Sequence, residues 1–248
     1  MLKTILDCLA FLTIIPIKTQ ESLTEREMGK FPACYPMVGL ILGFILFILA
    51  RLLGWANIPV GTSAILLVMA LAVLTRGFHL DGLADTADAL LSHRSLERKL
   101  EILKDSHLGT FGVLAILADL WLKASLLSAL AANNLFPAHL LVLFPIWGRL
   151  TASVVAVTSK PVGTGRGLGY NMVAYSGRQE LFLACLYSIA LSGVFGLKAF
   201  LCALMAILVG YLLAKLWKAT LGGVTGDLLG ASVELGELAS LFLFVALN

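Results

Sequence analysis

HLDGLADTADAL, the stretch from His79 to Leu90, places three carboxylates directly after a long apolar run. Asp81, Asp85 and Asp88 are separated by four and then three residues, so on an α-helix their side chains lie along one face. Three neighbouring anions repel one another, and hard divalent cations such as Mg²⁺ prefer carboxylate oxygens. The spacing therefore predicts a metal-phosphate site on a helix at a membrane surface, with a solvated acidic helix face as the alternative.

The composition around this stretch is that of a membrane protein. Of the 248 residues, 59% are apolar and 13% are charged, and the mean hydropathy is +0.95, which is too apolar for a water-soluble domain. We predict one domain over residues 1–248, an all-α polytopic transmembrane helical bundle of about seven membrane helices, range about six to eight. Short amphipathic or interfacial helices are expected on its cytoplasmic side. The apolar windows are Met37–Leu53, Ile58–Leu74, Leu108–Leu130, Leu140–Val157, Leu181–Leu197 and Ala199–Leu213, with weaker ones at Leu2–Ile17 and Val233–Leu247.

The distribution of basic residues predicts an orientation. Lys and Arg gather in residues 17–34, 76–107, 160–180 and 214–220, whereas the connections near 55–59 and 131–138 carry none. Every charged loop then falls on one side, which the positive-inside tendency identifies as cytoplasmic. The first helix fits only if the N-terminus is outside or if that segment never crosses. The net charge of +3 without a dense basic tract gives no support to nucleic-acid binding.

A second polar block, LERKLEILKDSHLGTFG, runs from Leu96 to Gly112. Its leucine spacing with interleaved charges predicts an amphipathic helix on the membrane surface. Lys104 is available to bind phosphate, and Asp105 is a further candidate metal ligand. The alternative is a solvated helix with pairs of charges one turn apart.

Two glycine-rich blocks follow. PVGTGRGLGYN, Pro161–Asn171, can bring backbone N–H groups near a phosphate beside the Arg166 guanidinium, although such loops are often only flexible. ATLGGVTGDLLGASVELGEL, Ala219–Leu238, carries three acids, and an acid in an apolar helix favours a functional role; hydrogen bonding at the interface is the alternative. Those acids are Asp227, Glu234 and Glu237.

Three further charges lie inside apolar windows. Asp119 and Lys123 are four residues apart, so a local ion pair is the simplest interpretation. Arg149 is expected to face the bundle interior and to reach Asp119 or a bound phosphate. His79, just before the aspartates, is either a ligand or a structural residue.

Taken together, these blocks resemble the cobalamin synthases, also called adenosylcobinamide-GDP ribazoletransferases. The resemblance covers almost the full length in the same order, and the HLDGLADTAD and GGVTGD blocks are specific. Mild departures are Arg76, Ala89 and His107, on which no catalytic role is based. The matching stretches are Phe31–Gly43, Arg76–Leu90, Lys99–Gly112, Thr164–Gly169 and Gly222–Glu237.

The resemblance implies a Mg²⁺-dependent late step of cobalamin (vitamin B12) biosynthesis at the prokaryotic inner membrane, with the active site on the cytoplasmic side. The family joins adenosylcobinamide-GDP to α-ribazole, or its 5′-phosphate, and releases GMP. The resemblance also implies that the protein is surrounded by membrane lipid. Two further possibilities stay open: that it forms a homo-oligomer, or that it associates with other enzymes of the pathway. The resemblance and the residue chemistry together assign Asp81, Asp85 and Asp88 as metal ligands and catalytic residues, Asp105 as catalytic, and as substrate-binding residues His79, Lys104, Arg166, Asp227, Glu234 and Glu237.

Two other functions remain as alternatives. A CDP-alcohol phosphotransferase also carries a multi-aspartate helix at the membrane face, but here Asp85 and Asp88 follow Asp81 too soon for its motif. A cation-coupled transporter is expected to place polar residues near the middle of broken helices, whereas this chain collects them at loops and helix ends on one side. The released nucleotide, GMP or CMP, discriminates between the two enzymes.

Overall fold

The computed structural model describes residues 2–18, 23–105, 107–131, 136–163 and 167–248, and these residues form twelve helices. One isolated bridge, between Pro161 and Val224, is the single β-type pairing in the described ranges. The helices are α1 Leu2–Leu12, α2 Glu25–Met28, α3 Phe31–Trp55, α4 Val60–Leu74, α5 Phe78–Leu91, α6 Leu96–Ile102, α7 Thr110–Leu130, α8 Ala138–Thr158, α9 Leu168–Tyr175, α10 Arg178–Val194, α11 Leu197–Leu221 and α12 Gly226–Ala246.

Five of these helices, α3, α7, α8, α11 and α12, are long and apolar enough to cross a membrane. The bent pair of α4 and α5 raises the number to six if it is counted as one span. The prediction of an all-α membrane bundle is therefore confirmed, and the number of spans in the described chain meets the lower end of the predicted range. Helices α10 and α1, with 17 and 11 residues, are too short to be counted as membrane spans.

Helix α8 forms the centre of the bundle. Every residue from Leu140 to Ala156 is buried, as expected for a helix that is apolar on all sides. Helix α3 packs closely on it through two glycines one turn apart: a Cβ at Gly39 would lie 2.6 Å from the Pro145 carbonyl oxygen, and one at Gly43 would lie 2.4 Å from that of Val142. Small residues at this spacing let membrane helices approach to backbone contact.

The chain turns sharply between α4 and α5. Arg76 and Gly77 have φ values of 58° and 66°, in the left-handed region that ends helices. The axes of the two helices differ by 91°. Helix α5 therefore lies nearly perpendicular to α4 instead of continuing it, and we treat α5 as lying outside the spanning segments.

Both ends of α1 lie at one end of the bundle. Lys3 Nζ is 2.7 Å from Glu27 Oε1, just before α3 begins, and the Ile14 N–H donates to the Leu74 carbonyl at the end of α4 over 2.8 Å. Since α3 and α4 are antiparallel neighbours joined by a short turn, the start of α3 and the end of α4 are on the same side. These contacts favour the alternative in which α1 does not cross the membrane, a point that the charge distribution left open.

The loops and helix ends on that side form one surface, which we call the basic face: the described residues 23–30, 75–105, 159–163 and 222–227. They are tied together by backbone bonds, with the Val224 N–H donating to the Lys160 carbonyl over 2.9 Å and the Val162 N–H donating to the Val224 carbonyl over 3.0 Å. The HLDGLADTADAL segment and the GGVTGD segment both lie at this face, so the fold brings the most specific motifs together.

Candidate active site

Asp81 and Asp85 on α5 lie beside Asp227 in the first turn of α12. The two helices meet at Gly82, where an added Cβ would be only 2.4 Å from the Asp227 carbonyl oxygen. The Thr225 hydroxyl, at the N-cap of α12, donates to Asp227 Oδ2 over 3.3 Å. We call Asp81, Asp85 and Asp227 the acidic cluster.

The acidic cluster is not neutralised by the protein. Burial, followed by the charges of Asp81 and Asp227, raises the pKa of Asp85 to about 7. Within the described part of the chain, no lysine, arginine or histidine forms an ion pair with any member of the cluster. Uncompensated carboxylates this close together favour the binding of a cation.

Asp88 has a different environment from the other two aspartates of α5. Its Oδ2 accepts the Gly109 N–H over 2.8 Å, and its Oδ1 accepts the Gly112 N–H over 3.0 Å. These N–H groups belong to the first turn of α7, which leaves them without partners inside the helix. Asp88 therefore anchors the start of α7, and metal ligation by Asp88 stays a prediction.

The carboxylates of the acidic cluster suit Mg²⁺ by chemistry, since all are hard oxygen ligands. In the residues that the structure places, no group of three His, Cys, Asp or Glu side chains is arranged to hold a metal ion. Mg²⁺ is usually bound through one or two carboxylates plus substrate phosphates and waters, instead of a cage made only of protein ligands. Asp81 and Asp85 fit that mode, in which a diphosphate completes the coordination.

Two cavities meet at Asp227, one member of the acidic cluster. The first, the apolar cavity, has a volume of about 260 Å³ and lies between α1, α5, α9 and α12. The second, the loop cavity, has a volume of about 220 Å³ and is lined by Lys104 together with Gly163 and Gly167. Both cavities share Gly169, Gly226 and Asp227. Asp227 is thus positioned to contact molecules in either cavity.

The loop that follows α6 supplies the polar wall of the loop cavity. Helix α6 ends at Ile102, so the predicted surface helix over Leu96–Gly112 is shorter than its charge pattern indicates. Asp105 Oδ1 is 2.6 Å from His107 Nδ1. This hydrogen bond lowers the pKa of Asp105 and raises the pKa of His107. Arg166 lies outside the described residues.

Glu234 and Glu237 lie deeper along α12, away from the acidic cluster, in a buried ionic network. Lys123 Nζ pairs with Glu234, is 2.9 Å from Glu237 Oε2 and is 3.0 Å from Asp119 Oδ2. The predicted pair of Asp119 and Lys123 is therefore confirmed. Arg149 faces the bundle interior as expected and pairs with Glu237. It does not pair with Asp119, one of its two expected partners, and contact with a phosphate stays a prediction.

His79 joins this network from α5. Its Nδ1 lies 3.5 Å from Arg149 Nη2 and 3.9 Å from Glu234 Oε1, and its side chain is buried. It also lines the apolar cavity. Substrate contact by His79, Glu234 and Glu237 stays a prediction, because each of these three side chains already contacts a charged side chain of the protein.

Sequence reasoning missed the walls of the apolar cavity. Phe11, Tyr35, Phe78 and Met172 come from four separate segments of the chain and carry no charge. A polar residue in an apolar helix attracts attention in a sequence, whereas an aromatic residue there is ordinary. Only the packing of α1 and α9 against α5 and α12 shows that these residues surround a space.

These features define an integral-membrane helical enzyme with an acidic site at one end of its bundle. Residues 4–245 match the family model of cobalamin-5-phosphate synthase, and the chain belongs to that family. The resemblance drawn from the sequence is confirmed. No solved structure matches this chain significantly.

Several relatives, which all carry one name, are similar to nearly the whole chain. One from Acetivibrio thermocellus is 38% identical over 98% of this chain and 97% of the relative. One from Klebsiella pneumoniae subsp. pneumoniae is 36% identical over 100% of both chains, and one from Desulfitobacterium hafniense is 41% identical over 93% of this chain and 91% of the relative. Each is named adenosylcobinamide-GDP ribazoletransferase.

Proposed function

We propose that this chain transfers the adenosylcobinamide-phosphate group from adenosylcobinamide-GDP to α-ribazole or its 5′-phosphate, with the acidic cluster as its catalytic centre. Family membership and the names of the relatives support the reaction. One observation carries the placement of the site: three neighbouring carboxylates lack a cationic partner, and one of them, Asp227, lies where two cavities meet.

The reaction assigns a role to each part of the site. A ribose hydroxyl oxygen bonds to the cobinamide-side phosphorus, the bond from that phosphorus to the bridging oxygen breaks, and GMP leaves with the electron pair. The hydroxyl proton passes to a carboxylate of the cluster. Lys104 in the loop cavity binds the nucleotide phosphates, and Asp227 orients the acceptor between the cavities. Asp81 and Asp85 would hold Mg²⁺, which would supply positive charge beside the leaving phosphate.

The site is proposed to face the cytoplasm of a prokaryotic cell with its helices in the inner membrane. The acidic cluster belongs to the basic face, and loops that carry an excess of Lys and Arg remain on the cytoplasmic side. The same orientation places the short connection at residues 56–59, which has no basic residue, on the opposite side.

The deciding experiment incubates purified protein with adenosylcobinamide-GDP, α-ribazole and Mg²⁺, and follows cobalamin and GMP by chromatography. EDTA is expected to stop the reaction. Asp81→Asn and Asp85→Asn are expected to lower kcat by about 10² or more, as for loss of charge stabilisation at a transition state, while the protein still inserts in the membrane. Glu101→Gln, at an exposed position of α6, is the matched control.

Three outcomes contradict the proposal. Near-normal turnover in both aspartate variants removes the acidic cluster from the mechanism. Release of CMP from a CDP-alcohol, with no GMP formed from adenosylcobinamide-GDP, assigns the chain to the other enzyme class. Cation-driven uptake into vesicles without GMP release indicates a transporter.

A further inference from the structure

The apolar cavity has walls suited to a flat apolar ring. Phe11 and Phe78 meet edge to face with ring centroids 5.5 Å apart, and Tyr35, Met172 and Val233 add to the apolar part of the lining. Aromatic and thioether side chains bind the faces and edges of other aromatic rings. A charged or strongly hydrated group would lose its water here without replacement.

One residue of the lining carries a buried polar atom that lacks a partner. Arg149 is 1% exposed and lines the cavity. Its Nη1 donates to Glu237 and, over 3.2 Å, to the Pro145 carbonyl, whereas its Nε has no hydrogen-bond partner among the residues the structure describes. A buried donor without an acceptor costs free energy. Because Glu237 already balances the charge of the guanidinium, a neutral acceptor is sufficient to complete its hydrogen bonds.

We propose that the apolar cavity binds the aromatic base of the acceptor nucleoside, with an unprotonated ring nitrogen accepting a hydrogen bond from Arg149 Nε. This inference rests on the proposed function for the identity of the acceptor, since α-ribazole is the riboside of a benzimidazole. The ribose then extends toward Asp227, where the cavity meets the acidic cluster. The nucleophilic hydroxyl and the diphosphate in the loop cavity thereby approach each other from opposite sides of Asp227.

The size of the cavity agrees with this assignment. A volume of about 260 Å³ corresponds to roughly nine waters at ~30 Å³ each, which suits a bicyclic base and is far too small for a corrin ring. The loop cavity, with Lys104 and glycine backbone in its lining, suits phosphate groups better than an apolar base. The two substrates are therefore separated by chemistry as well as by position.

The first test measures binding without catalysis. Purified protein without metal or cobinamide substrate is titrated with 5,6-dimethylbenzimidazole and with α-ribazole by isothermal calorimetry. The wild type is expected to bind both. Leu168→Trp, which narrows the mouth of the cavity from α9, and Arg149→Lys, which keeps the charge but removes the Nε donor, are each expected to weaken binding by about tenfold or more, equal to ~1.4 kcal/mol.

The second test is kinetic. Both variants are expected to raise KM for α-ribazole while KM for adenosylcobinamide-GDP stays unchanged, because only one cavity is altered. Leu117→Trp on the outer surface of α7, where the native side chain is 57% exposed, is the matched control. Phe78→Ala removes a wall and is expected to accept the riboside of a tricyclic base that the wild type rejects, a gain that misfolding does not produce.

The outcomes separate this inference from the proposed function. If the wild type catalyses transfer but binds neither the base nor the nucleoside, the cavity assignment is overturned and the reaction stands. Equal changes in both KM values lead to the same conclusion. Base binding that depends on Arg149, in a protein without transfer activity, keeps the cavity and overturns the reaction. A phospholipid acyl chain found by native mass spectrometry and displaced by Leu168→Trp, with base binding unchanged, makes the cavity a lipid site and overturns the inference.

Discussion

Gly82 is the residue on which the geometry of the acidic cluster depends. Its missing side chain allows α5 to touch the backbone of α12, and this contact brings Asp81 and Asp85 to Asp227. Gly82→Ala is expected to force the helices apart, lower stability by about 1–3 kcal/mol as overpacking does, and reduce turnover. Thermal unfolding in detergent and the GMP assay measure the two effects.

A second glycine provides the control for that substitution. Gly61 is in the first turn of α4 and has nothing within 4 Å of an added Cβ. Gly61→Ala is expected to keep or slightly raise stability, since alanine is the better helix former by about 1 kcal/mol. If Gly82→Ala behaves like Gly61→Ala in both assays, the close contact does not determine the site.

At the scale of a helix, Asp88 holds α7 to α5. Asp88→Ala removes two charge-assisted hydrogen bonds to backbone N–H groups, which is expected to lower the free energy of unfolding by about 1–3 kcal/mol. Asp81→Ala, at an exposed position without such bonds, is expected to leave stability unchanged and abolish turnover. Equal melting temperatures for the two variants contradict the anchoring role; loss of turnover in Asp88→Asn at full stability supports metal ligation by Asp88.

The sequence predicted helices better than it predicted their ends. The period of the aspartates correctly placed a helix at α5, and the apolar runs correctly placed α3, α7, α8 and α11. Helix α12 begins at Gly226, seven residues before the predicted window at Val233, because Thr225 caps a first turn too polar for a hydropathy scan. Helix α6 stops at Ile102 although its charge pattern continues.

At the scale of the whole molecule, the buried ionic network joins α7, α8 and α12. Lys123 and Arg149 face the carboxylates of Asp119, Glu234 and Glu237. The spacing of four residues predicted the pair of Asp119 and Lys123, whereas the sequence did not reveal that Glu234 and Glu237 on α12 complete the network. Lys123→Met leaves buried anions uncompensated and is expected to destabilise the protein by about 3–5 kcal/mol.

The control for Lys123→Met is an ion pair at the surface. Arg98 and Glu101 are both 62% exposed in their side chains, and such pairs contribute about 0–1 kcal/mol. Arg98→Met is therefore expected to melt close to the wild type. The melting temperatures of both variants are measured in the same detergent. Similar values for the two would show that the buried network does not hold the helices together.

The arrangement of α1 leads to a prediction about the whole molecule in its membrane. Since both ends of α1 lie at the basic face, Leu2→Cys and Arg94→Cys are expected to react with a membrane-impermeant maleimide only after the cells are permeabilised. Ala56→Cys, in the connection between α3 and α4, is expected to react in intact cells, and all three native positions are exposed. Cys8, Cys34 and Cys202 are buried, so the labelling is carried out in a Cys185→Ser background, in which little native cysteine reacts with the maleimide. Labelling of Leu2→Cys in intact cells would show that α1 crosses the membrane. Labelling of Arg94→Cys in intact cells would show that the acidic cluster lies on the outer side of the membrane.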